Sequence, residues 1–229
     1  GLHAHLRARM GKTKAAGLKV NVVRYADDFV ITGSSKELLE EEVKPWVEGF
    51  LKERGLELSM EKTRIVHISE GFDFLGWNFR KYSGKMLIKP SKKNEQSNYC
   101  KVKEVISSNK TKRQGDLIFL LNEKLQGWAN YHSPVVAKKA FSRMDHLLFR
   151  AIWRWAKRRH PNKRVDWVRK KYFHSVGLRN WVFAGPGMDR YGRWRQATLY
   201  TLADTPIRRH QKVKGSYNPF DPADERYGE

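Results

Sequence analysis

Near residue 90 the hydrophobic pattern changes period, from short β-branched runs to stripes of helical spacing. A chain divided this way cannot be a single repeated sheet or a single bundle. It predicts an α+β protein, an antiparallel sheet with a helix followed by a small helical bundle. Upstream, residues 20–24 and 29–32 flank Tyr25-Ala26-Asp27-Asp28 and predict a hairpin. Ser34 and Glu37 have capping-box spacing, opening a helix to residue 55 with Leu39, Val43, Trp46, Val47 and Phe50 on one face and a kink at Pro45. Residues 56–59, 63–68 and 72–79 read as further strands, with a turn at 82–85. Downstream, 116–131 is one helix and 135–159 the clearest, striped by Ala137, Phe141, Met144, Leu148, Ala151 and Trp155. His160-Pro161 ends it, 164–173 forms a shorter helix, and the last fifty residues suggest short strands before a Pro-containing tail.

Charge separates along the same line. The 229 residues hold 46 Lys/Arg against 24 Asp/Glu, a net +22, with 40% hydrophobic and 12% aromatic residues. A disordered basic tail would lack that apolar content. No run approaches the ~20 apolar residues of a spanning helix, so no membrane is expected. One cysteine, Cys100, excludes a disulfide framework and a Cys-based zinc site, and points to a reducing, cytoplasmic compartment. The first residues carry no secretory signal. Within 20–76, seven Lys/Arg face twelve Asp/Glu, so that segment is −5 and the rest carries +27. An acidic block before a basic one implies two jobs, and the partner of the basic block is a polyanion. In 80–113, eleven Lys/Arg face two acids, and Lys92, Lys93, Lys101 and Lys103 form a rail for a phosphate backbone. Arg150, Arg154, Arg158, Arg159 and Lys163 make a second cluster at a helix end. Trp128, Tyr131, Trp153, Trp155 and Trp167 suit stacking on unpaired bases, although core packing is the better assignment for each.

Asp27 and Asp28 are the chemical feature of the acidic block. Extended neighbours face opposite ways, so only a tight turn brings both carboxylates to one place. Clustered carboxylates suit Mg²⁺, whose shell is completed by water and substrate phosphates. Two such ions stabilise the attacking and leaving oxygens of phosphoryl transfer. A solvated Asp-Asp turn is the bland alternative.

Set between two apolar strands, Tyr25-Ala26-Asp27-Asp28 resembles the catalytic motif of reverse transcriptases. Leu58-Ser59-Met60-Glu61-Lys62-Thr63 and Gly71-Phe72-Asp73-Phe74-Leu75-Gly76-Trp77 resemble that family's next two blocks, and Phe-Leu-Gly is similar to the primer-grip segment of bacterial group II intron reverse transcriptases. Gln126-Gly127-Trp128-Ala129-Asn130-Tyr131 and 153–163 resemble the maturase (X) domain, which also serves as the thumb. The resemblance implies a partial palm over 1–89, a thumb/maturase domain over 90–175 and a basic DNA-binding-like region over 176–229. It implies RNA-directed DNA polymerase activity, with Asp27 and Asp28 as catalytic metal ligands. Tyr25, Ala26, Lys62, Phe74, Leu75 and Gly76 would lie near nucleotide, primer or phosphate. The basic residues would hold group II intron RNA, assisting splicing and target-primed reverse transcription at a DNA target, in a bacterial ribonucleoprotein near the nucleoid.

The sequence departs from the family at both ends. The family's site uses three acids, and no acid precedes Asp27. Fingers and the upstream palm strand are expected from a missing segment, in the same or a separate chain, without which the polymerase would be weak or inactive. The tail carries no Cys pairs, so no zinc-supported nuclease is expected. Two readings remain beside the polymerase: an RNA-binding splicing factor with idle acids, or a related retroelement or CRISPR-associated reverse transcriptase.

Overall fold

The hairpin around Tyr25-Ala26-Asp27-Asp28 forms in the structure, a computed structural model that describes residues 1–11 and 16–209. Strand β1, Asn21–Tyr25, pairs antiparallel with β2, Asp28–Thr32. Its open end is tied by Thr32 Oγ1 and Asn21 Nδ2, which both donate to the Lys19 carbonyl, and by Ser34 N, which donates to Leu18 O. Val22, Phe29 and Ile31 pack against a core of Leu2, Leu6 and Met10 from α1, Leu2–Met10, and Val47 and Phe50 from α2, Lys44–Lys52. Leu2, Leu6 and Met10 recur every four residues, so one helical face meets the sheet.

Two expectations about the next helix are corrected. The cap is Ser35, whose hydroxyl accepts from Leu38 N, one residue later than the Ser34 box. In place of a kink at Pro45, the structure has a π turn over Leu38–Val43, where Lys44 N reaches back to Leu39 O, leading into a regular helix that carries Pro45 in its first turn. Pro45 lacks an N–H and crowds the carbonyl four residues back, and the wider turn before it relieves that crowding.

The strands expected at 56–59 and 63–68 are irregular. The second of these segments ends against the sheet instead, through Lys81 N to Ile68 O. Residues 72–79 are not one strand but a hairpin: β3, Phe72–Phe74, turns at Leu75-Gly76 into β4, Trp77–Tyr82. Both turn residues have left-handed φ, 49° and 77°, as a two-residue primed turn requires. The turn at 82–85 forms as expected on Ser83 and Gly84, and β5, Lys85–Pro90, completes the sheet in the order β3-β4-β5.

The chain divides into two units, residues 1–87 and 88–229. The first helix of the second unit, after the end of β5, is one that the hydrophobic pattern does not reveal: α3, Lys92–Ser108, capped by Ser91, buries only Val102 and Ile106. The expected helices follow as α4, Gln114–His132, α5, Lys138–Arg158, and α6, Val165–Tyr172. The whole stripe from Ala137 to Trp155 is buried. Trp155 lies against Tyr172 and Phe183, and its indole donates to Asn109 O at 2.9 Å.

A sheet ordered β6-β7-β8 covers these helices: Phe173–Val176, Arg179–Met188 and Trp194–Thr198. The segment after β8 straps the bundle. Asn122 bonds Thr198 O and Tyr200 N, the Asp145 carboxylate accepts from Leu202 N and Ala203 N, and Lys138 Nζ reaches Ala203 O and Thr205 O. The tail beyond residue 209 lies outside the described residues. No helix among the described residues is long and apolar enough to cross a membrane. The fold is α+β, with three antiparallel sheets.

One buried titratable group gives the second unit an acid sensitivity. His132 is fully buried, and Asn94 Oδ1 faces both Trp128 Nε1 at 2.8 Å and His132 Nε2 at 2.9 Å. An indole can only donate, so Asn94 offers an oxygen and the proton sits on Nε2 of a neutral imidazole. Burial lowers its pKa from 6.5 to about 4. Between those values the unfolded chain binds a proton that the folded one refuses, so stability is complete above pH 6.5 and falls toward pH 4. The expected loss is about 3 kcal/mol, from roughly 1.4 per pKa unit. Urea midpoints at pH 7 and pH 4 should show this loss in the wild type and much less in His132→Gln; equal losses would contradict it.

Candidate functional site

The hairpin register places the acids. Asp28 opens β2 directly opposite Tyr25, and Val23 opposes Val30. Paired residues in antiparallel strands share a face, so Val23, Tyr25, Asp28 and Val30 form the side away from the core. That side is open: Val23 is 58% and Tyr25 65% exposed. Ala26 and Asp27 form the two-residue loop, with Ala26 at φ 50°. A non-glycine residue there costs on the order of 1 kcal/mol, and strain of this kind collects at functional turns. The turn removes the strict alternation that would send neighbouring carboxylates apart, and both Asp27 and Asp28 are exposed at one tip. No sequence motif singles out Val23 and Val30, although strand alternation alone aligns them with Tyr25 and Asp28.

Hard carboxylate oxygens suit Mg²⁺, which binds through one or two carboxylates plus waters and phosphate. The pair Asp27 and Asp28 therefore fits as part of a magnesium donor set. Among the described residues, no group of three or more His, Cys, Asp or Glu gathers to hold a metal.

The other primer-side candidates lie in separate turns of the same unit. Lys62 is exposed at the end of the turn over 60–62. Phe74, Leu75 and Gly76 form the bend of the β3–β4 hairpin, braced by Phe72 stacked on Phe79 at 5.3 Å and by Asn78 Nδ2 donating to Asp73 at 2.7 Å. Leu75 holds φ 49°, where a bulky side chain is an outlier.

In the second unit the basic candidates fall on two helices and, for Arg159 and Lys163, on the segment after the second of them. Lys92, Lys93 and Lys101 are exposed on α3. The first two occupy a helix N-terminus, where cations oppose the dipole, so helix stability does not account for them. Arg150, Arg154 and Arg158 recur every four residues along α5 and are all exposed, a ridge with a charge about every 6 Å. Arg159 is engaged within the fold instead. Its Nη1 donates to Lys110 O and Lys112 O, and its guanidinium lies 4.6 Å over the Trp155 ring. Lys163 and Lys171 sit over the ring of Trp167. His160 bonds the Tyr172 hydroxyl at 2.8 Å, and its pKa is lowered by partial burial and by Lys171, Arg159 and Lys163.

Comparison with known proteins follows this division. Residues 2–79 match the family described as reverse transcriptase (RNA-dependent DNA polymerase). Residues 96–173 match the group II intron, maturase-specific domain. The chain belongs to the group II intron reverse transcriptases/maturases. The first match runs from α1 to β4 and includes the Asp27–Asp28 hairpin, and the second runs from α3 to the start of β6. Protein YkfC of Escherichia coli (strain K12) is 47% identical over 57 residues, 23% of this chain and 14% of that protein. The ribosomal operon-associated A protein of Euglena longa is 25% identical over 128 residues, 55% of this chain and 25% of that protein. The chain thus spans a quarter or less of the length of these relatives.

Proposed function

We propose that this chain supplies the catalytic hairpin and the RNA-binding part of an RNA-directed DNA polymerase that also acts as a splicing maturase. The observation that carries the reading is the open hairpin face, which puts Tyr25 opposite Asp28 beside Asp27, in one chain with a helical maturase-type domain. Residues 1–89 would be part of the palm, 90–175 the thumb and maturase domain, and 176–229 a DNA-binding-like region. Asp27 and Asp28 would hold Mg²⁺, which supplies charge neutralisation at the phosphates of nucleotide addition. Tyr25 and Ala26 would meet the incoming nucleotide or primer end, Lys62 a phosphate, and Phe74, Leu75 and Gly76 the primer terminus. A third carboxylate, which the described residues do not bring to the hairpin, would come from a segment outside this sequence. That same observation favours one second reading, a splicing factor in which the two acids are idle.

Intron RNA would be held by Lys92, Lys93, Lys101, Arg150, Arg154, Arg158 and Lys163, through backbone and shape rather than sequence, with the half-buried Arg159 bracing the segment beneath them through the Lys110 and Lys112 carbonyls. Target DNA would meet the same ribonucleoprotein, inside the bacterial cell and near the nucleoid. The Arg150, Arg154 and Arg158 ridge gives the experiment. Titrating structured intron RNA over a salt series, Arg150→Ala/Arg154→Ala/Arg158→Ala should lower the slope of log affinity against log salt by about 2, near 0.7–0.9 per phosphate contact. An unchanged slope would remove the ridge from the interface.

A further inference from the structure

Three aromatic side chains in the second unit have no part in the proposed polymerase and RNA contacts. Phe149 and Trp153, one turn apart on α5, stack at 6.4 Å with only 15° between their planes. Trp181 of β7 closes on them, 5.8 Å from Trp153 and 6.3 Å from Phe149. The three line an open hollow of about 320 Å³. Core aromatics would be enclosed, but Phe149 is 39% and Trp181 42% exposed. Trp181 reaches this place with a left-handed backbone, φ 64°, an outlier for so large a residue. Strain of that kind persists where the surrounding structure imposes it, and it gathers at binding sites.

The charge around the hollow indicates what it takes. Arg169 lies 5.2 Å over the Trp181 ring. Arg150 and Arg154 occupy the row of α5 beside Phe149 and Trp153, both exposed. Residues 134–180 hold fourteen Lys/Arg and two acids, Asp145 and Asp166. An apolar partner surface would find these cations uncompensated, whereas a polynucleotide meets both features at once. Its bases stack on the rings, and its phosphates pair with the arginines.

We propose that Phe149, Trp153 and Trp181 form a stacking platform for an unpaired base of a bound single strand, with Arg150, Arg154 and Arg169 holding the neighbouring phosphates. The assignment rests on the nucleic-acid-binding reading and adds to it a site that distinguishes single strand from duplex. The test uses three probes: a short oligo(U), the matching oligo(dT) and a blunt RNA duplex. Phe149→Leu/Trp181→Leu should weaken oligo(U) roughly tenfold, the worth of one stacked base, with an unchanged salt slope. Duplex affinity should stay the same, and Trp181→Phe, which keeps a ring, should bind oligo(U) nearly as the wild type does. A parallel loss on oligo(dT) supports recognition of the base face alone, and a loss confined to oligo(U) supports a platform that also senses the ribose. Unchanged oligo(U) binding beside normal duplex binding overturns the platform and leaves the broader reading standing. Equal loss on single strand and duplex means the change acted through the fold and also overturns it. A wild type that binds none of the probes overturns both.

Discussion

Gly115→Ala should destabilise the second unit by roughly 3–5 kcal/mol, the sum of an overpacked contact and two lost hydrogen bonds, one of them to a charged group. The first turn of α4 lies directly on β7. A methyl group at Gly115 would sit 2.3 Å from Gly187 N and Pro186 C and 2.4 Å from Pro186 O. These are backbone atoms of β7, held in the ladder to β8 where Pro186 pairs with Gln196 and Gly187 with Arg195, so they cannot step aside as a side-chain tip would. Relief requires the helix and the sheet to separate, and two hydrogen bonds would go with it. Asp116 Oδ1 accepts from Met188 N at 2.7 Å, and Gln114 Nε2 donates to Tyr172 O at 2.7 Å. The sign makes the test informative. In an unobstructed helix, Gly→Ala stabilises by about 1 kcal/mol. Thermal and urea unfolding should therefore show a melting point lower by about 10 °C or more. A variant as stable as the wild type, or more so, would mean that α4 and β7 do not approach this closely.

What can be read in the sequence follows the strength of the local signal. The hairpin is legible because two β-branched runs bracket a short polar turn. Helix α5 is legible because six stripe residues at helical spacing leave little choice. Helix α3 is not, because only Val102 and Ile106 are buried in seventeen residues. Its helical form comes from packing against α5 and from the Ser91 cap, while its lysines signal charge rather than period. Residues 63–68 have a strand-like composition and no ladder, because β propensity is realised only where a partner strand is available. The single strand expected at 72–79 is a hairpin, since Leu75 has the composition of a packing residue while the structure gives it a left-handed turn position. No pattern in the sequence announces that.

The site is legible in the same uneven way. Residue types alone point to Asp27 and Asp28, but the open face that joins Val23, Tyr25, Asp28 and Val30 depends on register. Arg158 and Arg159 are equivalent as neighbours in a basic run. In the structure Arg158 is exposed, whereas Arg159 holds the carbonyls of Lys110 and Lys112. Trp153 suits stacking by its residue type, but its partnership with Phe149 and Trp181 joins β7 to α5 and is invisible along the chain.

Magnesium-dependent primer extension on an RNA template, by the polypeptide as its gene encodes it, reads the role proposed for Asp27 and Asp28. Asp27→Asn and Asp28→Asn keep the size of each side chain and remove its charge. At an exposed hairpin tip neither should disturb the fold, which the same unfolding curves would check. If these carboxylates hold the ions that neutralise charge at the reacting phosphate, each change should lower deoxynucleotide incorporation by about 10³-fold or more, on the order of 4 kcal/mol of barrier. Affinity for intron RNA should be unchanged, because the ridge on α5 is untouched. Incorporation that survives both substitutions would contradict the account.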